Sequence, residues 1–136
     1  MSVSWKRVSP PETTTPSRLR LARTCYDHLA GEIAVNIYQF MTDHGWFSAD
    51  GSAITQEGRK QFLQLGISLD QKTSRKPCCA CLDWSERRFH LGGYAGAAFL
   101  HHCEQHKWLT RTPGYREVYI TQREKLAFQK HFNVFS

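Results

Sequence analysis

No apolar run in this chain approaches the roughly 18 residues that a membrane-spanning helix needs. The opening "MSVSWKRVSPPETTTPSRLR" also lacks the apolar centre of a secretory signal, so a cytoplasmic protein is expected. Missing too are a nucleophile elbow, a phosphate-binding loop and paired carboxylates in an apolar setting. These absences argue against an enzyme. The five cysteines are odd in number and do not make two clean C-x-x-C pairs, which argues against a disulfide framework and against the commonest structural zinc pattern. They read as free thiols, whether buried, reactive or metal-bound.

What is present is one modest core and an uneven charge. With 136 residues, 40% of them hydrophobic, the chain can form one compact body. Its formal charge of +6 divides into +3 over residues 1–20, −3 over 21–70 and +6 over 71–136. The C-terminal half is therefore the candidate polyanion surface, with Arg87, Arg88, Arg111, Arg116 and Arg123 as nucleic-acid contacts. Solvated surface is the plainer reading of the Arg87-Arg88 pair.

Residues 1–15, rich in Ser, Thr and Pro, read as a loosely ordered arm. Beyond it, "SRLRLARTCYDHLAG" puts Leu19, Ala22, Tyr26 and Leu29 on one helical face and predicts a helix ending at Gly31. "EIAVNIYQFMTDHGW" spaces Ala34, Ile37, Tyr38 and Met41 as a second helix that Gly45 stops. Asp50-Gly51 signals a hairpin, and Thr55 and Gly66 bracket a further helix.

Shifting the chain by 62 residues superposes His28-Leu29-x-Gly31 on His90-Leu91-x-Gly93, Met41 on Cys103, His44 on His106 and Trp46 on Trp108. After four added residues in the turn, Ile54-Thr55-Gln56 meets Ile120-Thr121-Gln122. The order helix, helix, hairpin, helix would thus occur twice, as winged-helix-like repeats at 16–70 and 81–136 joined by a cysteine-bearing linker at 71–80. The expected fold is mainly α with small β-hairpins (α+β), as two tandem winged-helix-like units in one body.

This internal likeness gives bland accounts of several residues. His28, His90, His44 and His106 read as capping and packing elements at helix junctions, Trp46 and Trp108 as core anchors, and Cys103 as a small hydrophobe. In "CCACLDWSERRFHLGG", Asp83 followed by Glu86 fits a capping box, so a short helix should start at Asp83 and end at Gly92-Gly93, with Trp84 and Phe89 packed inward. The sharper readings rest on sulfur and imidazole. Cys25-x-x-His28 and Cys103-x-x-His106 have usable metal spacing, and a zinc site from Cys25, His28, Cys78 and Cys81 is one candidate. No other cofactor is expected. A redox thiol is a second candidate, since Arg75, Lys76 and Arg87 lie near enough in sequence to favour a thiolate.

The words "RTCYDHLAGEIAV" and "CLDWSERRFHLGGYAGAAFL", followed by "WLTR" and "YITQREKLAF", resemble the C-terminal region of a group of ArsR-family helix-turn-helix transcription regulators over roughly residues 17–130. The resemblance implies a role in transcription control carried by Cys25, Asp27, His28, Cys81, Asp83, Trp84, Glu86, Arg87, Arg88 and His90. In those regulators an N-terminal winged helix binds DNA and dimerises, and the expectation is that no such domain precedes Pro16 here. The thiolate motif of arsenic and zinc sensors is also absent, so metal sensing does not transfer from the family. The first reading is a ligand-sensing or dimer-supporting regulatory module, with a small-molecule or redox effector at Cys25, His28, Cys81 and His90. It would reach DNA through a partner DNA-binding domain and could pair as a homodimer. A tandem winged helix binding DNA directly is the alternative, and a zinc- or thiol-based sensor module the second.

Overall fold

The computed structural model describes residues 21–69, 76–83, 85–111 and 116–134. Their elements are β1 (Arg23–Cys25), β2 (His28–Ala30), α1 (Glu32–Asp43), α2 (Gln56–Leu65), β3 (Cys79–Asp83), β4 (Arg88–Gly92), α3 (Gly93–Gln105), β5 (Thr110–Arg111), β6 (Val118–Tyr119) and α4 (Lys125–Phe132). This is a mixed α+β body. Among the described residues the strands form three antiparallel hairpins, β1 with β2, β3 with β4 and β5 with β6, and Arg23 of β1 also makes a single antiparallel bridge to Glu117.

Two expected helices are hairpins instead. The segment before Gly31 folds as β1 and β2, in register Arg23 with Ala30 and Cys25 with His28, around a turn in which Tyr26 takes a left-handed φ of 60°. Tyr26, assigned to a buried helical stripe, is 91% exposed at that tip. Both strands are largely buried on both faces, so no period-2 alternation reveals them. The segment from Asp83 to Gly93 likewise forms a turn and β4, with Cys81 opposite His90 and Leu82 opposite Phe89. The Asp83 carboxylate accepts from the N–H groups of Ser85 and Glu86, so the predicted box caps a turn rather than a helix. Phe89 lies half-exposed rather than inward, and Trp84 lies outside the described residues. Among the described residues the order from β1 onward is hairpin, helix, antiparallel pairing, helix, twice over.

The remaining expectations for local structure hold. Helix α1 buries Ala34, Ile37 and Met41 along one face, and Gly45 follows with φ 77°. Thr55 caps α2 by accepting from the Gly58 N–H at 3.0 Å, and Gly66 ends it in the left-handed region. At the Asp50-Gly51 turn, hydrogen bonds from the Ser52 N–H and hydroxyl and from Ser48 hold the Asp50 carboxyl down at about 2. Before α4, the Thr121 N–H donates to Glu124 at 2.8 Å while the Glu124 N–H donates back to the Thr121 hydroxyl. His44 and His106 do the work assigned to them: each ends a helix with its Nδ1 on the carbonyl four residues earlier, Phe40 at 2.8 Å and His102 at 3.1 Å. The residues of the linker that are described, Lys76 to Ala80, lead into and begin β3.

One core lies among these elements. Met41 and Cys103 are fully buried, as are Phe62 and Phe128, and Trp46 meets Phe62 edge-on at 5.0 Å. Trp108 is only partly buried and packs edge-on against Phe128 at 5.6 Å. Among the described residues no helix is long and apolar enough to cross a membrane.

A buried histidine makes the core sensitive to acid. His102 is 4% exposed and stacks on His106 at 3.9 Å. Burial, helped by the neighbouring His106, His131 and His101, lowers it from 6.5 to about 4. The unfolded chain therefore takes up a proton that the folded one refuses, and stability present above pH 6.5 is lost as pH falls towards 4. A loss on the order of 2 kcal/mol is expected across that window. Urea unfolding as a function of pH checks it, because in His102→Gln this part of the slope should flatten.

Candidate functional site

The two N-terminal hairpin strands and the β3–β4 hairpin bring Cys25, His28, Cys81 and His90 to one point. Their thiol sulfurs and imidazole nitrogens all lie within 4.8 Å of one another. Each hairpin contributes one cysteine and the histidine directly across from it, Cys25 with His28 and Cys81 with His90. The histidines, 62 residues apart in sequence, meet through their Nε2 atoms at 3.1 Å with ring centres 5.0 Å apart. Both imidazoles are buried and both thiols half-buried.

Carboxylates hold the far side of each ring. His90 Nδ1 lies 2.9 Å from an Asp83 oxygen, and His28 Nδ1 lies 3.4 Å from Asp27. Asp83 is the anchor of the assembly. One of its oxygens accepts from the Arg23 guanidinium at 2.9 Å and from the Ser85 hydroxyl at 2.9 Å; the other accepts from the Gly31 N–H at 2.7 Å and faces His90. Burial alone would raise this carboxyl, yet the bonds from His90, Gly31 and Arg23 keep it well below the usual carboxylate range. It is therefore ionised and faces His90 Nδ1, which turns Nε2 of that ring towards the junction. Gly31 immediately precedes α1, so the same carboxylate ties the site to that helix.

Burial, followed by the Cys25 sulfur, Cys79 and Asp83, pushes the Cys81 thiol up to about 11. Cys78 is also raised to about 11, chiefly by burial. At Cys78 and Cys81 the surroundings therefore favour the thiol over the thiolate. Lys76 and Arg87 are exposed, and Arg75 lies outside the described residues.

The structure brings together the four residues expected for an effector or thiol site but not the expected metal set. Cys78 sits in the core with its Sγ directed to the Gly51 carbonyl at 3.4 Å, and His90 completes the cluster instead. Sequence spacing missed this because the pairing is across strands; the offset of 62 residues between His28 and His90 was the available signal. Cys103 is buried in the core and takes no part. Of the candidate nucleic-acid residues, Arg87 and Arg123 are exposed, and Arg88 reaches Asn36 at 3.5 Å. Arg111 pairs with Glu104 at 3.2 Å, and Arg116 donates to the Thr24 carbonyl at 3.2 Å. Arg116 thereby fastens β1 to the segment leading into β6.

A mixed α+β body carrying two thiols and two imidazoles at a hairpin junction is the class that fold and site define. The chain is similar to the uncharacterized HTH-type transcriptional regulator YdfF of Bacillus subtilis (strain 168), with 39% identity over 127 residues. The match takes in 90% of this chain and 56% of the relative, so the chain spans a little over half of that protein's length. No protein-family model and no solved structure matches the chain.

Proposed function

We propose that this chain is the regulatory portion of an ArsR-like helix-turn-helix transcription regulator, acting in the cytoplasm. An effector acts at the Cys25, His28, Cys81 and His90 junction, and DNA is reached through a DNA-binding portion other than the residues described. The observation that carries this reading is the convergence of the four side chains from two hairpins distant in sequence, with Asp83 connecting them to the start of α1. The likeness to a regulator named as HTH-type supports the transcriptional part. A site fastened to a helix can pass on a change in its ligand, because moving His90 disturbs the carboxylate that also holds Gly31.

Direct DNA binding has less support, since Arg111 and Arg116 already serve internal contacts. Titrating the reduced chain into labelled random duplex at low and moderate salt separates the two. The regulatory reading expects no binding at either salt. Binding that falls steeply with salt, and weakens when Arg111 and Arg123 are replaced by Ala, would make the chain itself a DNA reader.

A further inference from the structure

We propose that Cys25 Sγ, His28 Nε2, Cys81 Sγ and His90 Nε2 bind one zinc ion in a tetrahedral site that clamps the two hairpins together. The inference rests on the junction being the functional site and names the chemistry it takes.

Geometry carries it. A zinc ion with Zn–N near 2.0–2.1 Å and Zn–S near 2.3 Å sets an N···N edge of about 3.3 Å and an S···S edge of about 3.8 Å. The Nε2 atoms are already 3.1 Å apart and no donor pair exceeds 4.8 Å, so shifts of about 1 Å or less close the site. The tautomers point the same way. With the Nδ1 of each ring beside a carboxylate, both Nε2 atoms turn to the junction and meet at 3.1 Å, where they can share one proton or both coordinate one cation. Carboxylate-held Nδ1 hydrogens are also how zinc-binding histidines are oriented and made more basic.

Charge completes the argument. Binding releases the Cys25 and Cys81 thiol protons, and the two thiolates neutralise Zn2+, so a largely buried site carries no net charge. A hard, oxygen-seeking ion such as Mg2+ has no claim on a set without an oxygen donor. The high thiol pKa of free Cys81 is no obstacle, because a coordinated thiol loses its proton to the metal.

The test uses the full chain, purified reduced and without a polyhistidine tag. After incubation with Zn2+ and dialysis, atomic spectrometry should find about one equivalent of zinc, and Co2+ in its place should give the intense visible bands of tetrahedral cobalt with a thiolate charge-transfer band. Cys25→Ser, at a half-buried position on the rim, should fold yet lose the charge-transfer intensity and bind at least ten-fold more weakly. Cys79→Ser should leave both unchanged. Under a tenth of an equivalent of zinc in the folded protein would overturn the proposal, as would full binding by Cys25→Ser or a weak, octahedral cobalt spectrum. The DNA titration is a separate measurement on the same chain, so failure of either reading leaves the other to its own result.

Discussion

Replacing Asp83 with Ala should cost about 3–5 kcal/mol and leave much of the chain unfolded, the largest effect expected of any single side chain among those described. Asp83 is fully buried and accepts from Arg23, His90, Ser85, Glu86 and the Gly31 N–H. Its removal takes away the carboxylate that the fully buried Arg23 guanidinium meets at 2.9 Å. It also frees the turn before β4, loosens the start of α1 and releases His90 from the orientation that turns Nε2 to the junction. Arg23→Gln is the instructive contrast. The carboxylate then keeps its donors from His90, Gly31, Ser85 and Glu86, so the loss should be about 2 kcal/mol. Urea unfolding of both variants measures the difference. Equal losses would mean that Asp83 matters only as the partner of Arg23.

Gly58→Ala should destabilise by about 3 kcal/mol, although helix propensity alone predicts a gain of about 1 kcal/mol for the same change. Gly58 lies in the first turn of α2, where the helix passes directly over the chain leaving α1. A Cβ there would stand 2.1 Å from the Trp46 carbonyl oxygen and 2.9 Å from Ile54 Cγ2. That oxygen cannot simply step aside, because it accepts the Thr55 N–H at 3.0 Å just before α2 begins. Gln64→Ala, on the exposed face of the same helix, should be neutral or slightly stabilising. Thermal or urea unfolding of the pair separates packing from propensity. A stable Gly58→Ala protein would show that the close approach of α2 to Trp46 is not required.

The parts legible in the sequence were those whose physical cause is local. Helix α1 could be read from Ala34, Ile37 and Met41 recurring on one face, α2 from the Thr55 hydroxyl and the left-handed Gly66, and the helix-ending roles of His44 and His106 from imidazole's affinity for free carbonyls. Each depends on atoms within about one helical turn of one another, so each is encoded by residue type and spacing. His28 and His90 were legible as a pair through the 62-residue offset, whereas Cys25 and Cys81 do not correspond under it and were expected beside them only as residues near the junction of the two units.

The tertiary structure alone decided what those residues form. Leu19, Ala22, Tyr26 and Leu29 satisfy a helical period, but strand formation lets Arg23 reach Asp83, puts Cys25 beside His28 and turns Tyr26 out to solvent. Asp83 and Glu86 satisfy a capping pattern, and which backbone amides the carboxylate caps depends on β4 returning beside β3. The replacement of Cys78 by His90 in the cluster has the same origin. Cys78 is close to Cys81 in sequence but its sulfur faces Gly51, whereas His90 arrives across the hairpin. Local spacing determined the helices and their ends; the long-range pairing of two hairpins, held by a buried carboxylate that no local rule requires, determined the site.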